Sequence, residues 1–260
     1  MVTSALFLPS CESLAFSYAG SGIIKKFAFK GRMDVTEPEQ RLLLDIYKQL
    51  FSHFGPQGWW PARSPLEVVV GAMLVQNTSW GNVEKAIAGL RRARLLKWAV
   101  LSQLTVDELA PHIRACGYYR LKGQRLLNLL EFLKKYRPWH SFFNKELPTA
   151  RTLLLGVNGV GPETADALLL YVGKKATFVA DVYSLRILIR HGWLAPNSGY
   201  EQVRAFFMDN LPSDPVLFAE YHALLMALAK NYCRKNRPLC VQCPLYAWLA
   251  VHGNLAHHAQ

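Results

Sequence analysis

Acidic residues are scarce in this chain: 18 Asp and Glu stand against 30 Lys and Arg, a formal net charge of +12. With a pI near 9.6, that imbalance points to a polyanionic partner, the plain alternative being a merely soluble basic protein. Long hydrophobic runs are also missing. The longest, around Val68 to Val75, falls far short of the roughly 20 apolar residues that span a bilayer, so no membrane association is expected. Cysteine is sparse and odd in number, at Cys11, Cys116, Cys233, Cys240 and Cys243. In the absence of a secretory signal this argues against a disulfide framework and for a reducing compartment, the cytoplasm if the source is bacterial. No repeat of fixed period and no convincing run of alternating strand residues can be found. With 51% hydrophobic residues among 260, the chain has enough apolar material for one large or two small domains.

What is present reads almost throughout as helix. Glu37 to Phe51 carries Leu42, Leu43, Ile46 and Leu50 on one face, and Pro65 opens a helix through Val68, Val69, Ala72 and Met73. Further helices are predicted over Asn82 to Arg94, Thr105 to Ile113, Lys122 to Tyr136 and Pro148 to Leu155. The same spacing continues over Pro162 to Val172, Asp181 to His191, Tyr200 to Asn210 and Pro215 to Tyr232. Connections are short and contain Gly or Pro, so the expected class is all-α. Residues 1–33 differ from the rest, with one acidic residue (Glu12), four basic ones and little periodicity. A targeting peptide lacks its compact apolar core there; a disordered extension, or a start assigned ahead of Met33, is expected instead. A tail is expected over 251–260.

The most informative stretch is LLLGVNGVGPETADALLLYVGKKATFVAD, residues 153–181. Gly159 and Gly161 form a turn that opens directly into an amphipathic helix. Glycines let successive backbone N–H groups point outward together, and a helix start adds partial positive charge, which suits a phosphate group. A dinucleotide-binding reading of the glycines fails, because Thr164 replaces the third glycine and no strand alternation precedes the turn. A second turn, RACGYYRL with Gly117, leads into a basic helix holding Lys122 and Arg125 and reads as a weaker backbone-recognition element.

VNGVGPETADALL followed by FVADVYSLRIL resembles the helix-hairpin-helix plus Gly-Pro-Asp signature of the endonuclease III superfamily of DNA glycosylases. MLVQNTSWGNVEKA and CRKNRPLCVQC resemble the same family's glutamine-containing helix start and C-terminal cysteine loop, so the likeness runs in order from about Glu37 to Pro244. The resemblance implies two helical subdomains, residues 34–62 with 173–250 and residues 63–172, the hairpin spanning about 153–172 and the active site in the cleft between them. It also implies a double-stranded DNA partner bound by a monomer. DNA phosphate would be held through Gly159, Val160, Gly161, Thr164 and their amides, with Gly117 and Lys122 contributing from the second turn.

By the same resemblance Asp181 is the essential aspartate. A carboxylate beneath the sugar stabilises the positive charge of glycosidic cleavage and orients or deprotonates water; the plain alternative is a helix N-cap. Glu163 stands where the bifunctional enzymes carry a lysine nucleophile, which implies base removal without a Schiff base and without strand cleavage. Lys174 and Lys175 lie past the helix end and are poor substitutes. Gln76 resembles the residue that fills the gap left by an everted nucleotide, an eversion that costs a few kcal/mol, and Asn77 caps or braces the neighbouring turn.

QGWWPARSPLEVVVGAMLVQNTSW resembles the pocket segment of the 3-methyladenine glycosylase (MagIII-type) branch, so Trp59, Trp60 and Trp80 are expected to stack on the base. Indole faces attract cationic alkylated purines; filling a core seam is the competing use of the tryptophans. Cys233, Cys240 and Cys243 match three of four iron–sulfur ligands, with Leu249 in the fourth place. They leave open a cluster completed by an outside ligand such as His252, a zinc site, or a relic without metal, and Arg234, Lys235 and Arg237 still make the loop basic. His222, on an apolar helix face, is expected to be packed and hydrogen-bonded rather than part of a site. The alternatives to an alkylated-purine glycosylase are a bifunctional glycosylase/lyase for oxidised pyrimidines and a non-catalytic DNA-binding protein.

Overall fold

The computed structural model describes residues 38–252, and among them helices follow one another without a β-strand. The expectations for residues 1–33 and for the tail beyond 252 lie outside the described residues. The α-helices are α1 (Pro38–Phe54), α2 (Pro65–Leu74), α3 (Trp80–Arg92), α4 (Trp98–Leu101), α5 (Val106–Leu109) and α6 (Tyr119–Leu133). They continue as α7 (Leu147–Leu155), α8 (Pro162–Tyr171), α9 (Val182–Arg190), α10 (Tyr200–Asn210), α11 (Pro215–Asn231) and α12 (Tyr246–His252).

Local chemistry sets the helix starts. Pro65, Pro162 and Pro215 occupy first-turn positions, where a missing N–H costs nothing. Ser64 accepts from the Glu67 amide at 3.3 Å, and Asp214 from those of Val216 and Leu217. The single helix expected over Thr105 to Ile113 is instead α5, opened by a Thr105–Glu108 capping box, followed by 3-10 turns over Ala110–Cys116. Pro111 supplies no backbone donor there, so the α pattern cannot continue. Helix α4 and the 3-10 turn Trp139–Asn144 were not foreseen; they are pinned together by the stacked rings of Trp98 and Trp139, 4.9 Å apart.

Two apolar cores result. One gathers α2 to α7 and the near face of α8, around Val69, Met73, Leu90, Leu126, Phe142 and Leu154. The other gathers α1 and α9 to α11 around Leu43, Ile46, Phe178, Phe207, Tyr221 and Leu224. Helix α8 serves both: Ala165, Leu168 and Leu169 face the first core, while Ala167, Leu170 and Tyr171 face the second. The architecture is all-α, with two helical lobes sharing α8 as a wall.

One polar node sits at that wall. Asp166 of α8 has no solvent exposure and accepts from Arg151 Nε at 3.0 Å, Thr177 Oγ1 at 2.8 Å and Tyr200 OH at 2.8 Å. Arg204 Nε stands 3.4 Å from its second oxygen. A buried carboxylate is tolerated only when paired and hydrogen-bonded in this way, and here its partners come from α7, α10 and the segment before α9.

Candidate active site

The two lobes leave a cleft of about 790 Å³, within the range of small-ligand sites. Asp181 lies in its wall, 8% exposed. It is the N-cap of α9: Oδ1 accepts from the amides of Tyr183 at 3.0 Å and Ser184 at 2.8 Å, while the Ser184 hydroxyl answers the Asp181 amide at 2.9 Å. The cap alternative is therefore real, but it uses one oxygen only. Oδ2 lies 3.5 Å from His222 Nε2. Burial alone would push this carboxyl upward; the His222 ring and the Ser184 hydrogen bonds outweigh it and hold the group below the usual carboxylate range.

Glu163 opens onto the same cleft from the first turn of α8. Its carboxyl is pushed up to about 6, first by the desolvation that the cleft walls impose and then by the Asp181 charge, with His222 opposing. Two carboxyls in one cleft are thus driven apart in acidity, the arrangement that separates a permanent anion from a group able to exchange a proton near neutrality.

The tryptophans line the cleft and pack on one another. Trp80 meets Trp59 at 4.9 Å and Trp60 at 5.1 Å, both edge to face, and Trp60 touches Tyr171 at 5.1 Å. Pocket wall and lobe seam are one structure here: the same rings line the cleft and fill the seam. Gly71 on α2 makes this packing feasible, since a Cβ there would stand 3.1 Å from the Trp60 ring. The loop carrying Trp59 and Trp60 is tied to α11 by Glu220, whose carboxylate accepts from the amides of Gln57 at 2.5 Å and Gly58 at 3.3 Å. Lys230, also on α11, holds its ammonium 5.8 Å from the Trp59 ring centroid.

Residues 70–213 match the profile of the HhH-GPD superfamily of base excision DNA repair proteins. A Methanocaldococcus jannaschii protein carrying the provisional name of a DNA repair glycosylase is 40% identical over 212 residues, covering 80% of this chain and 96% of that one. The chain belongs to the HhH-GPD superfamily. Among solved structures it is similar to the Helicobacter pylori 3-methyladenine DNA glycosylase MagIII bound to 1,N6-ethenoadenine, with 24% identity, a TM-score of 0.64 and coverage of 74% of this chain and 97% of that one. It is also similar to a trapped endonuclease III–DNA covalent intermediate, with 20% identity, a TM-score of 0.67 and coverage of 79% and 93%. These place the fold, and the family places the chain among DNA-binding base excision repair glycosylases.

In this HhH-GPD chain the hairpin is the turn between α7 and α8. Gly159 has φ +95°, and a Cβ on it would lie 2.2 Å from Arg125 Cγ, so both backbone hand and space require glycine. Among the described residues the amides of Gly159 and Gly161 have no partner, but Val160 is a correction: its side chain is buried and its amide donates to Val157 O at 3.0 Å. Thr164 is likewise buried, and its hydroxyl accepts from Gln76 Nε2 at 3.2 Å. Gln76 also donates to Gly159 O at 3.0 Å and accepts from Arg125 Nη1 at 2.8 Å, so its amide ties α6 and the end of α2 to the hairpin. Asn77 is exposed beside it, with φ 51°.

Gly117 makes its turn with φ 64°, but Lys122 does not face DNA. It is 2% exposed and donates to Leu74 O at 2.9 Å and Cys116 O at 2.6 Å, and burial pushes its ammonium pKa below the usual lysine value. The signal was available: Lys122 falls in register with Leu126, Leu129 and Leu133 on the buried face of α6.

Cys233, Cys240 and Cys243 share a space of only about 10 Å³ with Leu249, which is 5% exposed. Burial pushes the Cys240 thiol up and the Cys243 thiol up to about 11, and no metal-holding group is found among the described residues. A four-thiolate cluster needs four deprotonated sulfurs and room for a cubane; these residues do not fit it. The His252 side chain lies outside the described residues. Arginines hold the loop instead: Arg186 donates to Cys233 O at 2.9 Å, and Arg190 to Arg234 O at 2.6 Å and Lys235 O at 2.9 Å.

His222, Glu220 and Lys230 all face or brace the cleft and were not assigned to it from sequence. His222 is packed and hydrogen-bonded as expected, yet it also reaches Asp181. All three fall at positions 220 to 230 of α11 in a run that otherwise reads as plain core, FAEYHALLMALAK.

Proposed function

We propose that this chain is a monofunctional DNA glycosylase, hydrolysing the N-glycosidic bond of an alkylated, 3-methyladenine-type purine and acting on double-stranded DNA as a monomer. The observation that carries this reading is that Asp181, with Glu163 and no amine at position 163, faces one tryptophan-walled cleft. As the base departs, positive charge grows on the deoxyribose and the Asp181 anion stabilises it. Water adds at C1′, and a cleft carboxylate takes its proton. Base and abasic site are the products. With no amine at position 163, no Schiff base forms there and the phosphodiester stays intact. Trp59, Trp60 and Trp80 enclose the everted base, the free amides of Gly159 and Gly161 hold a phosphate, and Gln76 with Asn77 supports the vacated position once the Gln76 hydrogen bonds are exchanged.

One observation favours a second substrate reading. Lys230 places its ammonium over the Trp59 face, the position a cationic base would occupy by cation–π attraction. A positive purine meets like charge there, whereas an uncharged base with carbonyl oxygens meets a donor. Such a base leaves poorly without protonation, and Glu163 is the group to supply that proton.

The test is a release assay on duplexes containing 3-methyladenine, 7-methylguanine, uracil, thymine glycol and adenine opposite 8-oxoguanine, with borohydride trapping alongside. The leading reading expects release of the methylated purines without a trapped adduct. Asp181→Asn keeps a good N-cap but removes the charge, so it should abolish release while leaving binding to abasic-site DNA intact. Full activity in that variant removes Asp181 from the mechanism, and a trapped adduct overturns the monofunctional reading.

A further inference from the structure

We infer that His222, backed by Tyr171, is a positioning residue that fixes the second oxygen of Asp181. This rests on Asp181 being the carboxylate of the proposed reaction.

Three helices converge on the point. Tyr171 ends α8, Asp181 caps α9, and His222 lies within α11. The Tyr171 hydroxyl and His222 Nδ1 are 2.7 Å apart. Nε2, sealed from solvent and without a hydrogen-bond partner, faces Asp181 Oδ2 at 3.5 Å. The tautomer that satisfies both ring nitrogens has the Tyr171 hydroxyl donating to Nδ1 and the proton on Nε2, aimed at the carboxylate. A contact of this length is looser than a formed hydrogen bond, and catalytic contacts commonly tighten only around a bound substrate.

The cap explains why such a residue is needed. Oδ1 is held by two α9 amides, so Oδ2 is the oxygen left to face the sugar or water, and α9 itself does nothing to orient it. A ring N–H donor sets that orientation while leaving the carboxylate unprotonated. A lysine or arginine there would cancel the charge that a developing cation needs. The ionisable groups that face the ring are Glu163 and Tyr171 on α8 and Asp181 on α9; Glu220 is two residues away on the ring's own helix. Glu220 is committed to the amides of Gln57 and Gly58, which leaves Asp181 as the acceptor within reach.

The experiment measures single-turnover release of 3-methyladenine with saturating enzyme across pH 3 to 9, a range that takes in the low-lying Asp181 limb, together with affinity for duplex DNA holding a stable abasic analogue. His222→Ala should slow release roughly tenfold to a hundredfold, the usual scale for losing an orienting outer partner, with affinity changed less than about twofold. Its acidic limb should move to higher pH, because the carboxyl loses the group that holds it down. His222→Gln, whose amide can accept from Tyr171 and still donate, should recover most of the rate. Tyr171→Phe removes one hydroxyl only and should shift the limb in the same direction, which keeps the test decisive if the alanine variant folds poorly. An unmoved limb in both His222→Ala and Tyr171→Phe overturns the inference, as does a rate loss that tracks weakened DNA binding and is not rescued by glutamine. Activity in Asp181→Asn would instead sink the parent reading, so the two failures are distinguishable.

Discussion

Removing the proton-exchanging group is the sharpest probe of this cleft. With the Glu163 carboxyl near 6, about one molecule in eleven carries the proton at pH 7 and about ten in eleven at pH 5, a ratio of about ten. If Glu163 donates to a departing uncharged base, single-turnover release should fall about tenfold between pH 5 and pH 7. Asp181 stays ionised over that span, since its carboxyl is held below the ordinary range. Glu163→Gln keeps size and polarity but can donate no such proton, so its rate should be low and flat over the same span. A cationic methylated purine leaves as a neutral molecule, and its release should be flat in both proteins. The assay is quenched-flow or manual sampling with radiolabelled duplex at saturating enzyme, uracil against 3-methyladenine. If wild type and Glu163→Gln show the same flat profile for an uncharged base, Glu163 is not the acid.

Two stability predictions follow from groups that hold the lobes rather than act in them. Asp166→Ala leaves Arg151 and Arg204 facing a buried gap, so it should cost about 3–5 kcal/mol in urea unfolding, the range for breaking one side of a buried ion pair; a loss under about 1 kcal/mol would show that the node is replaceable. Arg190→Ala removes donors to two loop carbonyls and should cost about 2 kcal/mol, a Tm drop of about 4–8 °C for a domain of this size, while a chelator should leave Tm unchanged; a chelator-induced drop would refute the arginine clamp as the anchor of the cysteine loop.

Much of the fold and the cleft floor was legible because local rules act there. The Gly159–Gly161 turn, Pro162 and the Asp181 cap are readable from side-chain chemistry within a few residues, and the structure puts them side by side. What stayed hidden depends on contacts across many residues. Lys122 resembled an exposed basic residue because charge usually seeks water, but two helix-end carbonyls, Leu74 O and Cys116 O, outbid solvent. Gln76 looked free to insert, yet its partners lie 83 and 88 residues away. His222 was read as core because its neighbours are apolar, and only the approach of α9 shows what its ring faces. Val160 and Thr164 were credited with DNA contact as members of the turn, whereas a tight turn spends some of its own polar groups on closing itself.

The chain's few acids show how the cleft is set apart. Asp166 is neutralised by Arg151 and Arg204, Glu67 by Arg91 at 2.6 Å, and Glu220 is occupied by two backbone amides. Among the described residues Asp181, buried in a protein of charge +12, meets no arginine or lysine, only an imidazole and helix-start amides. Leaving an anion without a cation in such a place is unfavourable in the free protein. The helix start reduces that cost without cancelling the charge. Under the reaction proposed above the arrangement is useful, because a cation would arise there transiently on a deoxyribose losing its base. A resident arginine would stabilise the resting fold and quench that reaction. A buffer-accessible anion would be screened. The half-compensated carboxylate, held by His222 rather than paired, is the form that does neither.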